Sequence, residues 1–144
     1  MALTMDAQTL EEAVALKEAR AFFSKDTFAT ETTKICIDEV GEHYAKCSFT
    51  IGNGHKNAYG GVMGGAIFTL ADFTFAVSAN FRQVQTVSTT SQISFIGMAK
   101  GTRLIAESTL IKDGRSTCLY AIHIYDELGT KVAFVTVNGM KLTH

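Results

Sequence analysis

The alternation of hydrophobic and polar positions divides the chain into two helices and six strands. Residues 6–23 carry acidic side chains early and basic ones late, with Leu10, Val14 and Ala21 on one face, which predicts a helix. Residues 63–81 predict a second helix. Segments rich in Val, Ile, Thr, Phe and Tyr predict strands at 34–40, 43–51, 84–96, 102–112, 116–125 and 131–142. The order is helix, two strands, helix, four strands.

The second helix is apolar on every side, and a helix of this kind is normally buried. Asp72 lies within it and is the one charge among the 25 residues between Lys56 and Arg82. No basic side chain lies one turn away to pair with it. A buried carboxylate is costly unless it is paired, hydrogen-bonded or functional. Asp72 is therefore a candidate catalytic residue, and the alternative is a structural Asp bonded to a neighbouring backbone group or hydroxyl.

Six antiparallel strands and a helix that is apolar all round predict an α+β fold in which the sheet wraps the helix. The chain has no proline, so glycine makes the turns, with hairpins expected at 41–42, 112–114 and 126–129. The whole chain, 1–144, reads as one domain with an N-terminal helical segment at 1–27. One sheet around one helix leaves its edges and one mouth open, and a second copy of the chain would cover both.

The composition of the chain argues against several classes of function. A net charge of −1 with scattered basic residues gives no sign of a basic patch that would bind nucleic acid or an anionic membrane. The acidic N-terminus lacks a continuous apolar core, so it does not read as a signal peptide, and we expect a cytoplasmic protein. Cys36, Cys47 and Cys118 lie in strand-like runs and are expected to be small buried hydrophobes in a reducing compartment. No combination of His, Cys and acidic residues has metal-ligand spacing, so no metal is predicted.

The segment 57–72, NAYGGVMGGAIFTLAD, resembles the N-x-x-G-x-x-H-G-G-x-x-x-x-L-x-D signature of hotdog-fold acyl-CoA thioesterases. The similarity is greatest to the phenylacetic-acid-degradation, or PaaI-like, group. It continues through 88–95, the Lys-x-Gly-Arg turn at 112–115 and 129–133, and it covers residues 28–142. The hotdog fold that it implies has the element order predicted above. The chain departs from the signature at Met63, which replaces the family's His.

Gly64 and Gly65 open the second helix, where backbone N–H groups lack intrahelical partners and the dipole is positive. By resemblance, the Gly64 N–H is the expected donor to the thioester oxyanion. Asp72 follows Gly64 by eight residues, or about 12 Å along a helix, too far to serve a carbonyl bound there. The resemblance implies a site across a dimer interface, with Asp72 of one chain facing Gly64 and Asn57 of the other. Asp72 would act as general base or as nucleophile.

The resemblance also suggests roles for residues around this pair. Asn57 would hold the attacking water or the thioester oxygen, and the Ser88 hydroxyl would assist the acid. Three aromatic side chains of the helix are expected to form the wall of the acyl pocket, namely Phe68, Phe73 and Phe75. Met63 and Gly65 are expected to lie near the thioester. A basic turn would grip the coenzyme A phosphates through Lys112, Gly114 and Arg115.

These features predict a thioester hydrolase that cleaves acyl-CoA to a carboxylic acid and free coenzyme A without a cofactor. The resemblance implies a homodimer that assembles into a homotetramer. Two alternatives remain open at this point. One is a non-catalytic acyl-CoA-binding hotdog protein that lost activity with the family His. The other is a thioester dehydratase or hydratase, although residues 57–65 contain no His to support that chemistry.

Overall fold

A computed structural model describes residues 6–142 and contains the predicted helices and strands. Helix α1 spans Ala7–Phe23 and helix α2 spans Gly64–Asn80. The strands are β1 (Cys36–Gly41), β2 (Tyr44–Thr50), β3 (Thr86–Phe95), β4 (Arg103–Asp113), β5 (Thr117–Asp126) and β6 (Lys131–Lys141). A π-helical turn at Phe28–Thr32 and a 3₁₀ turn at Asn53–His55 lie in the connections. The α+β prediction is confirmed.

The six strands form one antiparallel sheet in the order β1-β2-β4-β5-β6-β3, wrapped around α2 as in a hotdog fold. The two edges of the sheet differ. Helix α1 packs against β1, whereas β3 pairs with β6 on one side and, among residues 6–142, has no strand on the other. Strand β3 contains no charged residue, and most of its side chains are exposed on both faces.

Helix α2 is buried on most of its surface, but the prediction that it is enclosed on every side is wrong. Ile67, Leu70 and Ala71 face the core of the wrapped sheet. The stripe formed by Gly65, Phe68, Thr69, Asp72 and Ala76 is exposed or half-buried. Asp72 is open to solvent on this side and partly enclosed by its neighbours, because nothing within residues 6–142 covers the stripe.

Three smaller expectations also require correction. The buried face of α1 consists of Ala15, Ala19 and Phe23, while Leu10 and Val14 point to solvent with exposures of 56% and 50%. Small residues allow α1 to lie close against β1. Cys36 is exposed, unlike the buried Cys47 and Cys118. The β1–β2 turn occupies 42–43, one residue later than predicted. Within residues 6–142, no helix has the length and apolar character needed to cross a membrane.

Candidate active site

Helix α2 begins with backbone N–H groups that no side chain of the chain caps. Met63 occupies the N-cap position, and its thioether makes no capping hydrogen bond. The Met63 carbonyl accepts the N–H groups of Ala66 and Ile67, at 3.0 and 3.2 Å. The N–H groups of Gly64 and Gly65, one turn too early for an intrahelical partner, are left to bind a ligand.

The turn before α2 is organised around Asn57. Its Oδ1 accepts backbone N–H groups from Tyr59 at 2.9 Å and Gly61 at 3.1 Å. The Asn57 backbone N–H donates to the Gly61 carbonyl at 2.8 Å, which closes the turn. Gly60 adopts a φ of 86°, a conformation that favours glycine. Because Oδ1 is committed to the turn, the Nδ2 amide is the part of Asn57 that can meet a ligand.

His55 anchors this turn to the body of the protein, a role that the sequence analysis did not assign. Its ring is buried and stacks on Phe49 at a centroid distance of 4.1 Å. Nδ1 accepts the Gly52 N–H at 3.0 Å, so Nε2 must carry the proton that it donates to the Thr33 carbonyl at 2.7 Å. The His55 carbonyl accepts the Met63 N–H at 2.7 Å, which fixes the entry into α2.

Gly64 lies in a cleft of about 600 Å³ between the turn and the far end of β3. Its lining side chains are mostly apolar and none is charged: Asn57, Tyr59, Gly61, Val62, Gly64, Ile67, Phe95, Ile96, Gly97, Met98, Ala99 and Val132. A Cβ placed on Gly64 would lie 3.0 Å from Cζ of Phe95, so the aromatic ring lies against this glycine. We call this space the Gly64 cleft.

Asp72 lies in a separate cleft of about 380 Å³, the Asp72 cleft. Its other walls come from α2 and from the connection between α1 and β1, namely Asp26, Thr27, Phe28, Ala29, Thr69, Phe73 and Ala76. Within residues 6–142, Asp72 makes no side-chain hydrogen bond or ion pair, which argues against a purely structural role. Partial burial in the cleft, and in second place the charge of Asp26, raises the pKa of the Asp72 carboxyl.

The chain therefore keeps its candidate oxyanion donor and its candidate base apart. No residue lines both clefts. Eight residues of helix separate Gly64 from Asp72, about 12 Å along the axis. A general base must come within hydrogen-bond reach of the water or substrate that it activates.

Several predicted site residues lie away from the Gly64 cleft. Phe73 is buried and borders the Asp72 cleft, Phe75 is enclosed in the core against Tyr120, and Phe68 packs half-buried beside the core. None of these rings lines the Gly64 cleft, whose wall comes from Ile67 and from the end of β3, so their part in an acyl pocket stays a prediction. Ser88 lies exposed near the start of β3, opposite Gly139 of β6, and lines neither cleft.

The basic turn lies at the opposite end of the sheet from the Gly64 cleft. Lys112 is the next-to-last residue of β4, and Arg115 follows the strand in an exposed position. Strand β4 is 11 residues long, so the turn is about 30 Å from the connection that lines the cleft. Lys141 steadies the turn, since its Nζ lies 2.7 Å from Asp113 Oδ1 and donates to the Gly114 carbonyl at 2.7 Å. Within one chain, the turn cannot serve a ligand bound at Gly64.

Metal ligation has no support in residues 6–142, where no three His, Cys, Asp or Glu side chains cluster as a metal site would require. The candidate chemistry therefore depends on backbone N–H groups, one carboxylate and one carboxamide. These are the groups needed to stabilise an oxyanion and to activate or deliver a nucleophile.

The family model of the thioesterase superfamily matches residues 59–133, which include the α2 start, Asp72 and the β3–β4 connection. The chain belongs to the thioesterase superfamily. Two curated relatives, each named "Putative esterase", are similar over most of their length. The one from Archaeoglobus fulgidus is 25% identical over 87% of this chain and 82% of the relative. The one from Deinococcus radiodurans is 30% identical over 77% of this chain and 76% of the relative.

Solved structures of similar proteins share the fold. The Escherichia coli PaaI protein from the phenylacetic acid degradation operon superposes with a TM-score of 0.83 at 23% identity, covering 92% of this chain and 96% of that one. A hypothetical thioesterase from Streptococcus pneumoniae, solved with coenzyme A, gives a TM-score of 0.78 at 21% identity, covering 87% and 98%. The resemblance to PaaI-like hotdog proteins is thus confirmed, and this superfamily member is a thioester hydrolase.

Proposed function

We propose that this thioesterase hydrolyses acyl-CoA at a site shared by two copies of the chain. The observation that carries the proposal is the separation of the oxyanion donor at Gly64 from the unpaired carboxylate of Asp72, each in its own cleft and each without the other. A second chain that brings its Asp72 to this chain's Gly64 would complete the site, and symmetry would then produce two such sites in each dimer.

The free edge of β3 supports this arrangement. Helix α2 runs antiparallel to β3, with Gly64 near Phe95 at one end and Asn80 bonded to Thr86 at the other. If two β3 edges pair antiparallel about a two-fold axis, the two α2 helices also run antiparallel. This arrangement places each Asp72 near the Gly64 end of the partner helix and covers the exposed stripe of α2. A homotetramer would need a further interface between two such dimers.

In the shared site, the thioester carbonyl accepts the Gly64 N–H at the positive end of α2. Asp72 either removes a proton from water, which attacks the carbonyl carbon, or attacks the carbon itself to give a mixed anhydride that water then hydrolyses. In both routes coenzyme A leaves as its thiol. Asn57 Nδ2 holds the water or the thioester oxygen. Met63 contributes an apolar wall and no hydrogen-bond donor.

Relatives of known structure have been altered at residues of the same types. Two matching structures are alanine variants of one Streptococcus pneumoniae thioesterase, at an aspartate and at a threonine sixteen residues later. Asp72 and Ser88 have the same separation here, and both carry the corresponding functional groups. A PaaI protein from Thermus thermophilus was solved as an asparagine-to-aspartate variant. Ser88 would assist from β3, the strand that the proposed interface uses.

Coenzyme A would also be bound across the dimer. The antiparallel pairing of two β3 strands places the start of one β3 beside the end of the other. The Lys112–Arg115 end of one chain then lies on the same side as the partner's Gly64 cleft, where its cations could meet the phosphates. The Streptococcus pneumoniae relative was solved with coenzyme A, and a Streptococcus mutans relative was solved with acetyl CoA.

Release of free thiol from a panel of aliphatic and aromatic acyl-CoA thioesters tests the proposal. We expect steady turnover on at least one class, equimolar acid and coenzyme A as products, and loss of turnover in Asp72→Asn. Binding of acyl-CoA without turnover would favour the non-catalytic binder. Addition or removal of water at the acyl double bond, with the thioester intact, would favour the dehydratase or hydratase.

A further inference from the structure

A buried carboxylate at the end of β5 holds the connection between β3 and β4. The side chain of Asp126 is 0% exposed. Its Oδ2 accepts the backbone N–H groups of Lys100 at 2.8 Å and Gly101 at 2.9 Å. Its Oδ1 accepts those of Leu128 at 3.0 Å and Thr130 at 2.8 Å, in the β5–β6 turn. One side chain thus ties the two turns together.

The other end of the same connection is fixed by β6. The backbone N–H groups of Ile96 and Gly97 both donate to the Val132 carbonyl, at 2.8 and 3.2 Å. The backbone approach is close, because a Cβ on Gly97 would lie 3.0 Å from the Lys131 carbonyl oxygen. Residues 96–101, the β3–β4 connection, are therefore held at both ends, and Asp126 is the side chain that holds the second end.

Between these anchors, the connection supplies one wall of the Gly64 cleft. Its residues Ile96, Gly97, Met98 and Ala99 line the cleft opposite α2. Met98 reaches the Asn57 turn, since a Cβ on Gly61 would lie 3.4 Å from Met98 Cε. Met98 is 74% exposed, so packing within the chain does little to hold it. The position of this wall depends on the backbone anchors at its ends.

The four N–H groups around Asp126 require an ionised carboxylate. Burial alone would favour the neutral acid, but the hydrogen bonds from Lys100, Thr130 and Gly101 outweigh it and hold the pKa of Asp126 well below its usual range. A carboxamide offers one acceptor oxygen and would turn its NH₂ toward two N–H donors. Asp126→Asn is therefore nearly isosteric yet removes one of the two anchoring pairs.

We propose that Asp126 is a positioning residue for the substrate, which fixes the β3–β4 connection as the wall against which an uncharged, apolar part of the thioester packs beside Gly64. The inference rests on the proposed function. Because no charged side chain lines the cleft, the part of the substrate that packs there is expected to be uncharged and apolar. Asp126 touches no substrate atom and acts through the backbone of Lys100 and Gly101.

Glu127 provides a matched control because its hydrogen bonds go to the residues that follow the connection rather than to the backbone within it. Its Oε1 accepts the Thr102 N–H at 2.9 Å and the Arg103 N–H at 3.2 Å, and its Oε2 accepts the Thr102 hydroxyl at 2.9 Å. Thr102 and Arg103 follow the β3–β4 connection, whereas the Asp126 partners Lys100 and Gly101 lie inside it, next to the lining residue Ala99. Glu127→Gln thus removes a neighbouring carboxylate of similar bonding, so a general loss of stability would affect both variants.

The first test compares KM and kcat on an acyl-CoA that the wild type hydrolyses, with each variant well below its unfolding temperature. We expect Asp126→Asn to raise KM about tenfold while kcat changes less than about threefold, and Glu127→Gln to change KM less than about twofold. An unchanged KM in Asp126→Asn overturns the inference, as does an equal rise in KM in Glu127→Gln. Absence of hydrolysis by the wild type would instead contradict the proposed function.

Amide hydrogen exchange tests the anchor without any activity. In the wild type, the Lys100 and Gly101 amides should exchange as slowly as those of β5, whereas rapid exchange would overturn the inference. Asp126→Asn should speed exchange at both amides at least about tenfold, with β1 and β2 unchanged. If Asp126→Asn does not fold, Asp126→Ser offers a shorter acceptor that can keep the Thr130 bond but cannot span to the connection. The wild-type measurement decides the inference even if neither variant folds.

Discussion

The Gly64 cleft and the Asp72 cleft lie along one helix and offer opposite chemistry. The Gly64 cleft presents backbone N–H donors at the positive end of α2, an amide side chain and apolar walls without a charge. The Asp72 cleft presents two carboxylates, Asp72 and Asp26, and lies away from the start of α2. One cleft can receive a developing negative charge, and the other can accept a proton or supply a nucleophile.

This contrast has a physical advantage within a single chain. A carboxylate close to the start of α2 would cap Gly64 and Gly65 itself, since Asp is a favoured N-cap residue. The N–H groups would then be occupied before any substrate arrived. Placing Asp72 two turns away, with the non-capping Met63 at the helix start, keeps the donors open. In the proposed dimer, the two halves meet when a second chain supplies the missing one.

The largest effect should come from Asp72→Asn. The change preserves shape on an exposed stripe, so the fold should be retained, but it removes the base or nucleophile. We expect kcat to fall about 100-fold or more, measured by thiol release. Asp26→Asn, the same substitution in the same cleft, is the control and should keep most activity. Near-wild-type turnover by Asp72→Asn would make Asp72 structural.

Mixing two inactive variants tests whether the clefts cooperate across chains. Asn57→Asp keeps an oxygen for the Tyr59 and Gly61 N–H groups but loses the Nδ2 donor. An equal mixture with Asp72→Asn, after verified subunit exchange, should recover about a quarter of wild-type activity, because half the dimers contain one intact site of two. No recovery in an exchanged mixture would show that each chain holds a complete site.

Changes at Met63 should have intermediate effects on the Gly64 cleft. Met63→Ala removes an apolar wall and should change KM or acyl preference several-fold, with kcat less affected. Met63→Ser should instead cap α2, raise the free energy of unfolding by about 1 kcal/mol and lower kcat, because its hydroxyl competes for the N–H groups of the first turn. Kinetics and thermal unfolding of both variants check these directions. A fall in kcat for Met63→Ala equal to that of Asp72→Asn would contradict this account.

The smallest effect concerns pH and the Asp72 cleft. A base must be ionised to act, so activity should rise with pH as Asp72 loses its proton. Burial and the charge of Asp26 raise the pKa of Asp72 and therefore move that rise toward higher pH. Asp26→Asn removes the like charge and should move the acid limb of kcat/KM to lower pH, leaving the plateau unchanged. A shift to higher pH would show that the two carboxylates do not repel.

Much of the fold and part of the site could be predicted from the sequence. The strands and α2 follow from apolar periodicity and from glycine turns, and the motif at 57–72 identified Gly64, Asn57 and Asp72 as the residues to examine. The open stripe of α2 was missed because Ala76 and Phe68 look like core residues in sequence. The buried face of α1 was assigned wrongly because close packing on β1 selected Ala15 and Ala19 over the more apolar Leu10 and Val14.

The residues that hold the site in place were harder to predict than the candidate catalytic residues. His55 and Asp126 act through backbone groups distant in sequence, at Thr33, Lys100 and Gly101, so no local motif indicates their roles. The phenylalanines of α2 were expected to wall an acyl pocket because they are large apolar residues of the helix that Gly64 opens. The Gly64 cleft uses residues 95–99, which reach it only once the sheet has wrapped.

The unpaired edge of β3 also affects the tendency of the chain to aggregate before it assembles. Strand β3, Thr86–Phe95, presents the backbone donors and acceptors that point away from β6, without a charge or a proline to deter another strand. Such an edge is a template for uncontrolled addition of further chains. Newly made protein should therefore be most prone to aggregate before its β3 edge is covered. Lys or Glu introduced at an exposed β3 position would keep the monomer dispersed but would block its maturation.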